Sequence, residues 1–393
     1  MDLPKVADII VIGGGINGTS TAFHLAKRGH KVALMEKDLI AAGPSGRSSA
    51  IIRQHYSNEV TARMVLQSLR LWQNFDQVVG GECGFTQTGF LACVRQEHLE
   101  GLKANVAMQQ RVGIDTRLVW ASDLEALEPA ISVKGIVAAA YEPESGYADP
   151  ALAATSFAAA AKRLGATILT GTQVQSISTA AGRVTGVVTN RGPVAAGTVV
   201  VVAGPWSPLL SKTVGVELPI IASRHQVCIY RWPPAFPGHK VNIDFAEGVY
   251  IRPETGRQML VGSVHPEEAV DRVMDLEHYN QNAGFTTITG FAEKVAHRYP
   301  EMEHGTSAGG YASLYDITPD WHPIIDQLPG VSGLFVCAGG SGHCFKLAPA
   351  IGDMTAKLVV EGKKPDDDVS LFSFDRFAKG KLIRGKYEYS IVG

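Results

Sequence analysis

The chemistry-bearing residues of this chain are concentrated near its two ends. The first group is Gly13-Gly14-Gly15-Ile16-Asn17-Gly18, with Glu36 placed 23 residues after Gly13. Glycines at these three spacings have distinct uses. Gly13 allows a tight turn, Gly15 lets backbone approach a pyrophosphate, and Gly18 lets a helix pack on a strand. A helix starting at Ile16 offers free N–H groups and partial positive charge to the phosphates. An acid at Glu36 can accept hydrogen bonds from ribose hydroxyls. Together these residues predict a dinucleotide site.

The elements around the motif support it. Asp8–Ile12 is an apolar, β-branched run, the pattern turns helical from Ile16 until Gly29, and Lys31–Met35 is a second short strand. A second glycine loop, Gly339-Gly340-Ser341-Gly342-His343, follows the apolar run Gly333–Ala338 and precedes a helix over Ala348–Val360. A third candidate is the strand TVVVVA at Thr198–Ala203, ending in Gly204-Pro205-Trp206-Ser207. The Gly/Ser-rich turn Ile40–Ser49 is placed to wrap a cofactor, and Arg53 just beyond it is a candidate anion binder. NAD, NADP and FAD can all use the first motif. The long FAD molecule needs additional loops from later in the chain, and these three segments supply candidates.

At 393 residues, 45% hydrophobic and 19% charged, the chain is expected to be a soluble enzyme of two domains or one with a large insertion. A net charge of −2 gives no case for nucleic acid or an anionic membrane. No run approaches a membrane span, and the N-terminus has no signal-peptide pattern. Five cysteines without a CxxC pair predict reduced thiols and a cytoplasmic location. The twelve histidines show no compact metal spacing, so no metal is expected.

The expected fold class is α/β: a Rossmann-like FAD-binding domain, discontinuous in sequence, with an inserted α+β substrate domain containing a mixed or antiparallel sheet. The expected boundaries are 1–82, 142–217 and 306–363 for the FAD-binding domain, 83–141 and 218–305 for the substrate domain, and 364–393 for a tail. Helices are predicted over Glu59–Val79, Glu97–Val112 and Pro150–Leu164, and helical segments over Leu276–Tyr299. Ser122 with Glu125 reads as a capping box.

Over roughly residues 6–376 the sequence resembles the D-amino-acid oxidase superfamily of flavoproteins, and within it the sarcosine oxidases. The resemblance is carried by GGGINGTSTAFHLAKRG with LMEK, by SSAIIR, by VVVVAGPWS, and by LYDITPDWHPIID with FVCAGGSGHCFKLAPAIGDM. It implies FAD held by Gly13, Gly15, Ile16, Asn17, Gly18, Glu36 and Lys37. It adds Ser45, Arg47, Ser48 and Ser49 from the wrapping turn, then Val174, Ala203, Gly204 and Trp206. From the second glycine loop it adds Gly340, Gly342, His343, Phe345 and Lys346. Arg53 and Lys346 match a pair of cations that hold a substrate carboxylate, while Tyr315, His343 and His265 match active-site positions.

Two departures are informative. Where the monomeric sarcosine oxidases carry the cysteine joined to FAD, this chain has Ser313, so non-covalent FAD is expected. Where the oxidases place an oxygen-activating lysine, it has Leu260, which favours an electron acceptor other than O₂. The implied reaction is oxidation of the C–N bond of a secondary or N-methyl amino acid by hydride transfer to flavin N5, giving an imine that hydrolyses. The alternatives are the catalytic subunit of a heteromeric amino-acid dehydrogenase or oxidase, and a flavin monooxygenase, for which Gly352-Asp353-Met354 is only a superficial match. The expected partners are a small amino-acid or amine substrate and O₂ or another carrier, with partner subunits or a homo-oligomer left open.

Overall fold

The computed structural model describes residues 2–265, 271–363 and 368–385. Its organising layer is a six-stranded sheet whose first strand, β1 (Ile9–Ile12), is buried at every position. Such a run has no polar face to show water, so it must be covered on both sides. β1 pairs in parallel with β2 (Val32–Met35) and with Thr198–Val201. Thr167–Leu169 extends the sheet beyond β2, and Leu334–Ala338 extends it beyond Thr198–Val201, both in parallel. Ile324–Gln327 closes the edge antiparallel. Strands from four distant parts of the sequence therefore form one layer.

Gly13 leaves β1 with φ +115°, and a side chain there would run into the Val202 carbonyl. The helix α1 (Ile16–Lys27) follows and packs against Pro150–Arg163 and Ala348–Glu361. Its approach to the last helix is close: Ser20 Oγ donates to Ala348 O at 2.8 Å, and a Cβ on Gly352 would overlap Ser20. Asp353 is paired with Arg28 at 2.8 Å and His24 at 3.3 Å. Helix packing thus accounts for the Gly352-Asp353-Met354 triplet.

The second layer is an eight-stranded sheet. In spatial order it runs Thr306–Ile317, Ile221–Arg231, Gln258–Ser263, Val249–Glu254, Val241–Asp244, Phe90–Val94, Ala138–Glu142 and Arg117–Trp120. All neighbours are antiparallel except Val241–Asp244 with Phe90–Val94. Thr306–Ile317 is an edge strand here, so this sheet extends to Ile317, past the expected boundary at 305. A small sheet pairs Ile51–Ile52 and Thr86–Gln87 with Gly146–Tyr147 and carries the chain between the two layers.

Several local expectations change. Helix Glu59–Gln73 breaks at Asn74 before a short turn Phe75–Val78. Helix Ala121–Leu127 has Trp120 at its cap position, whose indole has no acceptor oxygen to cap it, and the Ala121 N–H goes to Val137 O at 3.1 Å. Ser122 is therefore inside the helix. Of Leu276–Tyr299, only Phe285–Arg298 forms an α-helix. The preceding residues are drawn along the sheet edge instead. Arg224 bonds to the carbonyls of Asn280 (2.6 Å) and Asn282 (2.5 Å), and the Ala312 N–H bonds to Gln281 O at 2.7 Å.

The predicted tail is described over 368–385, where it is built into the core. Buried Arg376 forks onto Asp320 at 2.7 and 2.9 Å and reaches His322 O at 2.8 Å. This fixes the turn Thr318–His322, whose Trp321 has φ +59°. Among the described residues no helix is long and apolar enough to cross a membrane.

Candidate cofactor and substrate site

A cavity of about 570 Å³ opens where β1 meets α1. Gly13, Gly15, Asn17, Glu36, Lys37 and Ser45 line it from the N-terminal unit. Arg47, Val174, Ala203, Gly204, Trp206 and Gly340 line it from the later segments. Ile16 and Gly18 of the motif serve the frame. Ile16 is buried with its N–H on Ser45 Oγ at 3.0 Å, and a Cβ on Gly18 would overlap the Gly13 carbonyl.

The donor set suits an adenine dinucleotide. The α1 N-terminus has no side-chain cap of its own from Gly15, and Asn17 Oδ1 is buried without a hydrogen-bond partner among the described residues. Glu36 accepts from the N–H groups of Gly14 (2.6 Å) and Asp38 (2.9 Å), which fixes its carboxylate at the end of β2. Lys37 lies 4.0 Å over the Trp206 ring and pairs with Glu277 at 2.5 Å, while Trp206 Nε1 also donates to Glu277 at 2.7 Å. Glu277 and Tyr279, which bonds Arg47 at 3.2 Å, come from the substrate-side segment before Phe285. Sequence reasoning missed both, because the helical reading of that stretch gave no reason to bring them to the cofactor.

A smaller cavity, about 50 Å³, lies beside it. Arg53, Tyr315, Gly342, His343, Phe345 and Lys346 line it, together with Ser48 and Ser49. Arg53 follows directly on the short strand Ile51–Ile52. The Gly339–Lys346 loop is pinned from behind: Trp72 Nε1 donates to Lys346 O at 2.9 Å and its ring stacks on Phe345 at 5.5 Å. Gly342 has φ +80°, and a Cβ there would overlap the Tyr315 ring, so the loop passes directly under that tyrosine.

Both cations are buried and flank one ring. Arg53 lies 4.7 Å and Lys346 5.9 Å from the centre of Tyr56. Lys346 Nζ donates to His343 O at 2.9 Å, and Arg53 donates to His55 O. Burial, then the Arg53 charge, pushes the Lys346 ammonium well below its ordinary range. An anion placed between them would reverse that shift.

The other titratable groups are held neutral. Burial, then the neighbouring His322 and Lys346, keeps His343 well below its usual range, and its Nε2 lies 2.5 Å from Trp321 O. Burial lowers His225 to about 3, and its ring stacks on Tyr315 at 3.7 Å. Tyr315 and Tyr311 are pushed up to about 12, chiefly by burial. Tyr250, which also lines the small cavity, and His225 were not singled out from sequence. The alternation of Tyr311, Ser313 and Tyr315 was the available signal, since it sets three polar side chains on one face of a strand. His265 stands apart from this group: it is exposed, rests on the Gly248 turn and does not line the small cavity.

Residues 8–358 match the family described as DAO: FAD dependent oxidoreductase. The chain belongs to that family. It is an FAD-dependent oxidoreductase. It is 27% identical to the sarcosine oxidase subunit beta of Rhodobacter capsulatus, over 96% of this chain and 90% of that one. It is 25% identical to human mitochondrial sarcosine dehydrogenase, over 95% of this chain but only 42% of that longer protein. The crystal structure of L-proline dehydrogenase from P. horikoshii superposes with a TM-score of 0.89 at 29% identity, covering 97% of this chain and all of that one. FAD is the cofactor of this family, and the glycine turn and Glu36 on the large cavity are residues that fit its phosphates and ribose.

Proposed function

We propose that this enzyme oxidises the C–N bond of a secondary or N-methyl amino acid, sarcosine-like or proline-like, to an imine that water then hydrolyses. The observation that carries the reading is the convergence of Arg53 and Lys346 on a small buried cavity beside the cofactor site. Two cations on one carboxylate fix the adjacent amine carbon through charge-assisted bonds. Bound FAD would supply the redox chemistry as hydride acceptor. The protein positions the substrate and excludes water. With His225 held to about 3 and His343 also well down, neither histidine acts as a strong base. A substrate amine that reacts in its neutral form needs none. The names of the relatives, which include sarcosine and proline dehydrogenases, favour the same substrate class. A dye-linked turnover panel tests it: sarcosine, another N-methyl amino acid or proline should outpace glycine and other primary amino acids. Faster turnover of primary amino acids would reassign the substrate class.

FAD is proposed to be held without a covalent bond. Ser313 stands at the position expected for attachment, buried and paired in register with His225, and a serine cannot form the thioether. Acid precipitation should release the yellow colour to the supernatant, and a coloured pellet would contradict this.

A second observation bears on the electron acceptor. Leu260 is buried and pairs with Arg252 on the neighbouring strand. Arg252 is committed to Glu254 and Ala148 O and lies 4.0 Å over Tyr147. Arg257 is turned to the carbonyls of Pro233, Pro234 and Phe236, and Arg224 to those of Asn280 and Asn282. None of these arginines lines the small cavity. This supports transfer of electrons to an acceptor other than O₂.

A further inference from the structure

A carboxylate lies beside the segment that carries Arg53. Glu142 ends the strand Ala138–Glu142, and the pairing of Ile52 with Gly146 lays residues 53–55 alongside it. It is completely buried. One oxygen accepts from the Gln54 N–H and from Ser145 Oγ, both at 2.7 Å. The other, Oε1, has no hydrogen-bond partner among the described residues and lies 3.8 Å from His55 Nδ1. Ionised, such an oxygen is costly to bury unless cations lie near. Here the charges of Arg53 and Lys346 reach Glu142, and its charge is felt in turn at Lys346 and Tyr56.

We propose that Glu142 is the resident counter-anion of Arg53 and Lys346, and that it takes up a proton when a substrate carboxylate arrives beside those cations. This rests on the reading that Arg53 and Lys346 hold that carboxylate. The proton comes from solvent, and Glu142 acts as a positioning residue through the cations. A second negative charge near a buried carboxylate raises its proton affinity. Burial has already moved Glu142 up to about 7, against the pull of its two hydrogen bonds and the two cations, so the change falls in the working range.

Among the described residues, the titratable groups around it come from the Arg53–Tyr56 segment and the glycine loop. His55 follows Arg53, is hydrogen-bonded by Gln109 from the helix Leu99–Val112, and is held to about 3 by burial and by Arg53. Tyr56 stays protonated, chiefly through burial. From the glycine loop come Lys346, whose carbonyl partner is His343, and buried Cys344, whose thiol is pushed well up, chiefly by burial. Lys346 is thus the competing proton acceptor, and the test must separate the two.

The probe is methoxyacetate, which has the shape and carboxylate of sarcosine but no amine, titrated calorimetrically into FAD-loaded enzyme in buffers of different ionisation enthalpy. Proton uptake should be near zero at low pH, about half a proton at pH ~7 and close to one above pH ~8. Affinity should fall by up to about tenfold per pH unit over the upper part of that range. In Glu142→Gln the uptake should vanish and the affinity become flat with pH. Uptake that persists in that variant assigns the proton to Lys346 and overturns the proposal, as does binding to the wild type without uptake. Failure of methoxyacetate to bind at all would instead sink the carboxylate reading itself, and this inference with it. Should Glu142→Gln not fold, Ser145→Ala serves: losing a bond to the ionised form must shift the uptake curve to higher pH, and an unmoved curve is contrary.

Discussion

Methionine at Arg53 should lower kcat/KM for the amino-acid substrate by about 30- to 5,000-fold, most of it through KM. The estimate follows from the loss of one partner of a buried, hydrogen-bonded charge pair, which costs roughly 2–5 kcal/mol. Methionine at Lys346 should fall in the same range. Both side chains are buried against Tyr56, so water does not replace the lost contact cheaply. Lys346 also holds the His343 carbonyl, and its loss should loosen the glycine loop and reduce kcat as well. Steady-state kinetics against a carboxylate-free amine provides the control, since that slow reaction should be little changed in Arg53→Met. An unchanged KM for the amino acid in both variants would remove the two cations from substrate binding.

The second large effect is expected at Leu260. If the reduced enzyme reacts slowly with air because no lysine stands at position 260, Leu260→Lys should speed reoxidation by O₂. An oriented charge beside developing anionic oxygen is worth about 10²-fold or more in a water-excluded site. Arg252 is already spent on Glu254 and Tyr147, so it does not provide that charge. Stopped-flow mixing of the pre-reduced enzyme with aerated buffer measures the rate directly. Rapid reoxidation of the wild type would contradict the dehydrogenase reading, whatever the variant does.

The parts of the site legible in the sequence are those whose backbone does the work. Gly13 and Gly18 are needed because neighbouring backbone leaves no room for a side chain, and Gly15 because the Ser45 hydroxyl lies where a Cβ would go, a requirement written directly in residue type. Buried parallel strands such as Ile9–Ile12 and Thr198–Val201 were readable for a similar reason, as short all-apolar runs. Arg53 was marked by its place just beyond the wrapping turn, but its pairing with Lys346 came from the resemblance, since no local pattern joins residues so far apart. Glu142, His225 and Tyr250 were missed because strand register decides what they face. Glu142 reaches Gln54 through the pairing of Ile52 with Gly146, a contact that two-residue strands barely announce. The edge strand Thr306–Ile317 was missed for a different reason. Its glycines and exposed first residues hide the alternation that brings Tyr311, Ser313 and Tyr315 to one face. The stretch before Phe285 was read as helical from its composition, whereas Arg224 and the edge strand capture its backbone carbonyls.

The central claim is that a carboxylate beside the amine is what the small cavity recognises. Anaerobic absorbance of the FAD-loaded protein tests it with matched pairs: sarcosine against dimethylamine, and proline against pyrrolidine. At least one amino acid should bleach the flavin band at low concentration, while its carboxylate-free partner leaves the band nearly unchanged. Bleaching by the simple amines as readily as by the amino acids, or by none of the compounds, would contradict the account.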